Sequence, residues 1–208
     1  MEKRTGWIIA AVAALVIGGF LTVGMAAASG GSGKKASTVL HDADGVEVGK
    51  VRFEDKKGKT RVQVDLTAMP KDAALEAFHG FHIHANSDPA NGSDCMADAT
   101  KAASTWFVSA DGHLNTASKT HGDHTGDLPS VFVNNDSTVS MKFDIDRIPI
   151  SDLANRAVIL HAKPDNFGNV PVGTAPDQYT AGAEALAKTQ ATGNAGDRIA
   201  CGVITAGK

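Results

Sequence analysis

The sequence predicts an all-β domain, and three observations lead to that class. Apolar and polar residues alternate in short runs, which is the pattern of strands that bury one face. Turn-forming residues such as Asp, Asn, Gly and Lys separate these runs at short intervals. No long stretch after the N-terminal region shows the 3.6-residue periodicity of an amphipathic helix. Together these features predict an antiparallel sandwich or barrel.

The predicted strands follow each other closely along the first half of the domain and continue after a central gap. A tight turn at residues 42–45 precedes the first alternation, and the turn at residues 56–59 leads into the second. The apolar positions of the predicted strands are Val46, Val48, Val51 and Phe53, then Val62, Val64 and Leu66, then the runs 131–133, 139–145 and 157–160.

The N-terminal region differs from the rest in composition. Lys3 and Arg4 precede an uncharged, mostly apolar segment, residues 7–28. As a helix of about 1.5 Å rise per residue it spans roughly 33 Å, enough for a bilayer. Small residues at 26–29 also suit signal-peptide cleavage, so residues 1–28 are either a signal peptide or a membrane anchor. In both cases the preceding positive charge predicts that the domain lies outside the cytoplasm. One N-terminal apolar segment and a short polar linker suggest the periplasm or cell envelope, where the domain is either secreted or membrane-anchored.

Residues 29–37, rich in Gly and Ser, read as a flexible linker, and residues 38–208 as one domain. This domain keeps 16 of the 20 Lys and Arg residues and 22 of the 23 Asp and Glu residues. Its net negative charge argues against a nucleic-acid partner.

A glycine-rich segment from Asp111 to Pro129 carries residue types that bind zinc. Three histidines and one aspartate fall within fifteen residues: His113, His121, His124 and Asp127. Imidazole nitrogen and carboxylate oxygen are ligands that zinc takes in four-coordinate sites, and glycines let one loop present several of them. The alternative is a solvated polar loop whose histidines bind nothing.

Other histidines favour the metal site. His82 and His84 are two residues apart in an apolar run, so on a strand both imidazoles share one face. His161 ends the apolar run that begins at Ala157. Burial of two imidazoles on one face of a strand costs free energy unless a partner such as a metal ion binds them. Six of the eight histidines thus belong to one predicted cluster.

Five separated motifs resemble those of copper/zinc superoxide dismutases, in order and in style, over roughly residues 38–204. They are GFHIH (80–84), GHLN (112–115), HGDHTGDLP (121–129), the strand that ends in His161, and GNAGDRIACGVI (193–204). The resemblance implies a Greek-key β-barrel or sandwich with long metal-binding and electrostatic loops. It also implies an oxidoreductase that converts superoxide to dioxygen and hydrogen peroxide, with copper and zinc as cofactors.

The same resemblance implies roles for individual residues. The implied copper ligands are His82, His84, His113 and His161. The implied zinc ligands are His113, His121, His124 and Asp127, so that His113 bridges both metals and takes a proton during a two-step redox cycle. Asp165 corresponds to an aspartate that hydrogen-bonds one copper and one zinc histidine. Arg198 corresponds to the arginine beside the open copper position, where its charge holds the superoxide anion.

Two cysteines, Cys95 and Cys201, are present. In an exported domain such a pair is most simply a disulfide, although two buried thiols are the alternative. The resemblance implies the disulfide, which joins the loop after the copper strand to the last strand.

Several features depart from the family pattern. The loop between His121 and His124 is shorter than usual, which leaves a copper-only dismutase without zinc as an alternative. A copper-binding protein that buffers or delivers the metal without turnover is a second alternative. Segments 96–111 and 167–192 are longer than usual and have no assigned role; within the first, Trp106 and Phe107 are most simply explained by local packing.

His79 is expected to be structural and His41 solvated. Superoxide is the expected partner, and the chain is expected to be a monomer or a dimer.

Overall fold

The computed structural model describes residues 34–92, 94–168, 172–173 and 180–207. Strands dominate these residues, which confirms the all-β class. The apolar segment 7–28, with its predicted helix, and the first part of the linker lie outside the described residues. Among the residues that are described, no helix is both long and apolar enough to cross a membrane.

The described residues contain twelve strands, one α-helix and four single-turn 3₁₀ helices. The strands are β1 (Lys35–His41), β2 (Glu47–Lys56), β3 (Lys59–Leu66), β4 (Ala77–His79), β5 (Phe81–His84), β6 (Val131–Val133), β7 (Val139–Ile145), β8 (Ala157–His161), β9 (Val172–Gly173), β10 (Thr180–Ala181), β11 (Arg198–Val203) and β12 (Thr205–Ala206). The helices are α1 (Ala185–Thr192) and the 3₁₀ turns Pro89–Asn91, Ala103–Thr105, Val108–Ala110 and Ile150–Asp152.

The predicted alternations form β2, β3, β6, β7 and β8. Strands β2 and β3 are joined by the predicted tight turn, where Lys57 and Gly58 both have positive φ (55° and 84°), as a type I′ hairpin requires. Strand β1 begins at Lys35, so it includes residues 35–37, which the sequence assigned to the linker. These three residues pair with β2, and this pairing holds them in the sheet despite their polar composition.

Eight strands form the main sheet, and seven of them follow the order β5-β8-β11-β1-β2-β3-β7, with β12 paired to β1. The short strands β4 and β6 pair with each other, and so do β9 and β10. The pairings within the main sheet are antiparallel. This order places the ends of β5, β8 and β11, which carry the histidine and arginine motifs, side by side at one edge of the sheet.

The core lies against the inner face of this sheet. Its central members come from alternate positions of β2 and β3, where Val51, Phe53, Val62 and Val64 are almost fully buried. The intervening positions carry charged side chains, such as Arg61, which is ion-paired across the strands. This alternation explains why the period-two pattern was readable from the sequence.

A second, smaller cluster surrounds the disulfide. Cys95 and Cys201 are bonded, with Cα atoms 5.4 Å apart, as predicted. Phe107 is buried in this cluster with Ile159 and Cys201, and Trp106 packs against its margin. The inserted segment 96–111 therefore covers the outer side of β8 and β11, and local packing explains its aromatic pair.

Helix α1 was not predicted, because two turns are too short to show a clear periodicity. It lies within the lengthened segment 167–192 and ends at Gly193, whose φ of 64° is the left-handed conformation of a helix C-cap. The carbonyl of Gln190 accepts a hydrogen bond from the backbone of His121 at 2.7 Å, so the helix is tied to the histidine loop.

Candidate metal centre

Strand β5 organises the site. His82 and His84 are fully buried on it, and their rings lie on one side as the alternation predicted. The loop with the remaining histidines runs along the free edge of this strand. Ile83 donates to the carbonyl of Gly126 and accepts from the amide of Leu114, both at 2.8 Å. This pairing brings His113 beside His84.

The first group of candidate ligands contains four buried histidines whose ligand atoms lie within 4.8 Å of one another: His82, His84, His113 and His161. In His84 and His161, Nδ1 lies near a backbone carbonyl, of Asp111 at 2.8 Å and of Gly196 at 3.2 Å. Each Nδ1 therefore carries the proton and leaves Nε2 as a free acceptor. The Nε2 atoms of His84, His113 and His161 are buried without any hydrogen-bond partner, as is Nδ1 of His82. Unpaired buried nitrogens that converge in this way fit a metal ion.

The second group centres on one oxygen of Asp127. Its Oδ1 lies 2.8 Å from Nδ1 of His113 and 3.3 Å from Nδ1 of both His121 and His124. The ligand atoms of His82, His113, His121 and Asp127 also lie within 4.8 Å of one another. His124 points Nε2 at the carbonyl of Lys119, 3.0 Å away, so its Nδ1 is the nitrogen left to bind a metal. Three imidazoles thus lie close to the carboxylate of Asp127, and their role as zinc ligands stays a prediction.

The short connection between His121 and His124 accommodates this geometry. Oδ2 of Asp127, the oxygen that does not face the histidines, accepts hydrogen bonds from the amides of Gly122 at 2.7 Å and His124 at 3.0 Å. Arg147 donates to the carbonyl of His124 at 2.9 Å from the outside. One aspartate therefore both faces the ring nitrogens and holds the backbone of the shortened loop.

Asp165 links the two groups. Its Oδ1 lies 3.0 Å from Nε2 of His82 and 3.5 Å from Nε2 of His121. The other oxygen accepts a hydrogen bond from the hydroxyl of Ser130 at 2.7 Å. Sequence reasoning missed Ser130, because its role depends on the meeting of two loops and no local pattern marks it. Asp165 was predicted to hydrogen-bond one histidine of each metal set. Its Oδ1 lies close to both rings, but neither it nor the two Nε2 atoms has a hydrogen-bond partner among the described residues, so these hydrogen bonds stay a prediction.

The carboxylate of Asp165 fits between the rings because two glycines leave space for it. A Cβ atom on Gly80 would lie 2.7 Å from Oδ1 of Asp165, and one on Gly193 would lie 2.5 Å from Nε2 of His121. Any side chain at either position would displace the carboxylate or the imidazole.

Arg198 begins β11 and pairs in register with His161. Its guanidinium donates to the carbonyl of Phe107 through Nη1 and to the carbonyl of Asp111 at 2.6 Å through Nη2. Burial lowers the pKa of Arg198, but an arginine stays protonated at physiological pH. The site therefore has a fixed positive charge beside the first histidine group.

The surroundings of the site favour neutral imidazole rings at His82, His84 and His161 and an ionised carboxylate at Asp127. Burial, reinforced by the neighbouring histidines, lowers the pKa values of His82, His84 and His161 far below the ordinary range. Burial alone would raise the pKa of Asp127, but hydrogen bonds from His113 and His121 outweigh it and hold that pKa well below its usual value. Neutral imidazole and carboxylate are the forms that bind metals.

We expect the metal-free protein to lose stability as the pH falls below about 6.5, the ordinary pKa of histidine. Below this pH, His82, His84 and His161 bind protons in the unfolded chain but not in the folded chain, because folding lowers their pKa values. Each such histidine costs up to about 1.4 kcal/mol per pH unit below that value. Chemical denaturation at pH 7.5 and pH 5.5 measures the effect; equal free energies of unfolding at both pH values would contradict it.

The two remaining histidines, His79 and His41, lie outside both groups of candidate ligands. His79 is buried, with ring nitrogens 2.7 Å from the carbonyl of His161 and 2.9 Å from that of Ala74, so it is structural. His41 is exposed at the end of β1. In the lengthened segment, Phe167 stacks on His121 with ring centroids 5.3 Å apart and covers that ring.

The fold and the site define an all-β domain with two adjoining groups of buried side chains that could hold metal ions. Their imidazole ligands suit a redox metal such as copper. The sequence model of one family, copper/zinc superoxide dismutase (SODC), matches residues 47–204. The chain belongs to the copper/zinc superoxide dismutase family.

Two similar proteins carry the name of this family, and one solved structure has a similar fold. A superoxide dismutase [Cu-Zn] of Mycolicibacterium paratuberculosis is 32% identical over 194 residues, covering 88% of this chain and 80% of the relative. A protein of the same name from Mycobacterium tuberculosis is 33% identical over 181 residues, covering 82% and 70%. The crystal structure of the clock protein EA4 is similar with a TM-score of 0.59 and 27% identity, covering 84% of this chain and 95% of that one. The chain is thus a superoxide dismutase with copper and zinc as cofactors.

Proposed function

We propose that this chain dismutates superoxide at a dinuclear site in which His113 bridges a copper and a zinc ion. The observation that carries the proposal is the position of this one ring. Its Nδ1 lies 2.8 Å from Oδ1 of Asp127, while its Nε2 is buried without a partner among the other group of histidines. A ring that offers one nitrogen to each group is what a bridging imidazole requires.

The residues proposed to hold copper are His82, His84, His113 and His161. When bound, copper supplies the electron exchange that oxidises one superoxide to dioxygen and reduces a second one to hydrogen peroxide. Four imidazoles suit this role because imidazole is a ligand type that suits copper, a metal that can cycle between two oxidation states.

The residues proposed to hold zinc are His113, His121, His124 and Asp127. The alternative member of this group is His82, whose ring also lies close to His113. His124 is favoured because its Nδ1 lies 3.3 Å from both Asp127 Oδ1 and His113 Nδ1. Nε2 of His82 instead lies 3.0 Å from Oδ1 of Asp165, which leaves its Nδ1 for the first group.

Other residues of the chain orient the ligands and the substrate. His113 can take up and release a proton at Nε2, the nitrogen that faces the copper group, while Asp127 holds its Nδ1 side. Arg198 supplies the positive charge that attracts the superoxide anion, since the domain as a whole is acidic. Asp165 fixes the ring orientations of His82 and His121, as carboxylates beside metal-binding histidines commonly do.

We further propose a Greek-key arrangement of the strands, which the non-sequential order of the sheet supports. We also propose that the domain works outside the cytoplasm, in the periplasm or cell envelope, after export by residues 1–28. The Cys95–Cys201 disulfide supports this location, because such bonds persist in oxidising compartments. Residues 7–28 as a membrane anchor, and a monomeric or dimeric state, stay predictions.

His121→Ala and His124→Ala test the proposed zinc role. We expect zinc content to fall from about one per chain to near zero, because each change removes one of four ligands. Activity is expected to fall as well, since the His113 ring loses the partner that holds its Nδ1 side. Elemental analysis and a dismutation assay on the same samples measure both quantities, and His41→Ala serves as the control because His41 is exposed.

Full activity in both zinc-ligand variants would instead support a copper-only dismutase. Bound copper without activity in the wild-type protein would support a copper-buffering protein. Either result would remove the bridging role that the proposal assigns to His113.

A further inference from the structure

Asp111 has a backbone conformation that side chains rarely adopt. Its φ is 62° and its ψ is −161°, a region that is populated almost only by glycine. A residue with a Cβ atom persists in such a conformation only when its surroundings hold it there. The residue precedes Gly112 and His113, directly at the start of the metal-binding loop.

The carbonyl group of Asp111 serves two functional side chains. It accepts a hydrogen bond from Nδ1 of His84 at 2.8 Å and another from Nη2 of Arg198 at 2.6 Å. One oxygen therefore fixes the tautomer of a proposed copper ligand and also the direction of the guanidinium. Rotation of this peptide would loosen both at once.

The carboxylate of Asp111 explains how the conformation is held. Its Oδ2 accepts hydrogen bonds from the amides of Ser87 at 2.6 Å and Asp88 at 2.9 Å. Its Oδ1 accepts a third from Nδ2 of Asn91 at 2.8 Å. Three donors from residues 87–91, a segment that follows β5, hold the side chain and thereby resist relaxation of the backbone.

We propose that Asp111 is a positioning residue for anion binding: its tethered carboxylate holds a strained peptide whose carbonyl orients both His84 and Arg198. This inference rests on the proposed function, because it takes Arg198 as the group that meets the anionic substrate. The inference differs from a purely structural role, in which the carboxylate would only tether residues 87–91.

The substitutions Asp111→Gly and Asp111→Ala separate the two roles. Glycine adopts the observed φ and ψ without strain but lacks the carboxylate, whereas alanine lacks the carboxylate and keeps the strain. The probe is azide, titrated into the copper- and zinc-loaded protein and followed by visible absorption, together with the Cu(II) EPR spectrum. The matched control is Asp136→Asn, which alters an aspartate that also accepts a backbone amide, in the turn between β6 and β7.

We expect azide to bind about tenfold more weakly to Asp111→Ala, the effect of losing one hydrogen bond to a charged group. Asp111→Gly is expected to lie between this variant and the wild type, and the EPR spectrum is expected to change in the same order. Wild-type azide affinity and an unchanged EPR spectrum in both variants, with lowered stability alone, would overturn the inference. A wild-type protein that binds no azide at copper would instead show a failure of the proposed function.

Asn91→Ala keeps the inference testable if Asp111 variants fold poorly. Asn91 is exposed, and its substitution removes only one of the three donors to the Asp111 carboxylate. We therefore expect this variant to fold. We expect a smaller loss of azide affinity in the same direction. An affinity equal to that of the wild type in this variant, measured on folded protein, would count against a role for the tether.

Discussion

His161→Ala is expected to abolish superoxide dismutation. His161 belongs to the first histidine group only, the residue is 2% exposed, and its Nε2 has no hydrogen-bond partner among the described residues. Alanine removes one of four imidazoles and leaves a cavity, so copper binds weakly and in altered geometry. The loss of kcat/KM is expected to exceed about a hundredfold, because even residues that only support metal ligands cost up to that factor.

The measurement is a dismutation assay with the copper content determined on the same sample. His41→Ala is the matched control, since it removes a histidine that is exposed and lies outside both groups. Activity per bound copper in His161→Ala equal to that of the wild type would contradict its role as a ligand.

Removal of the Cys95–Cys201 disulfide is expected to lower the free energy of unfolding by several kcal/mol. Cys95 and Cys201 are 106 residues apart in sequence, and closing a loop of that length stabilises by about 4 to 5 kcal/mol in the chain-entropy model. The bond also anchors the inserted segment, whose Phe107 and Asp111 carbonyls accept the hydrogen bonds of Arg198. Activity should therefore decline together with stability.

The double variant Cys95→Ser with Cys201→Ser, analysed by chemical denaturation, measures this effect. Wild-type protein treated with a reductant should reach the same free energy of unfolding, which controls for the substitutions themselves. A loss below about 1 kcal/mol would show that the small core around Phe107 holds the segment without the bond.

The sequence predicted the histidine cluster because each part of it leaves a local signal. His82 and His84 are two residues apart, so any strand places both rings on one face. His121, His124 and Asp127 are close enough in sequence that one loop can bring them together. Strands β2, β3 and β7 of the main sheet were equally visible, because a half-buried sheet imposes a period of two.

Other features depend on contacts between distant segments and leave no such signal. Ser130 meets Asp165 only because the loops after Asp127 and after His161 converge. Asp111 was marked as a loop residue, yet its importance lies in a backbone conformation and in hydrogen bonds to residues 87–91. Strand β1 extends to Lys35 because its partner strands continue there, although a Gly- and Ser-rich composition favours a linker.

The most direct test of a copper and zinc centre bridged by His113 is elemental analysis of the purified protein, paired with a dismutation assay on the same sample. We expect one copper and one zinc per chain, with activity that requires both. The two groups around His113 and Asp127 support this stoichiometry, because each offers its own set of converging donors. Copper alone with full activity would contradict the dinuclear centre and remove the metal-binding roles of His121, His124 and Asp127.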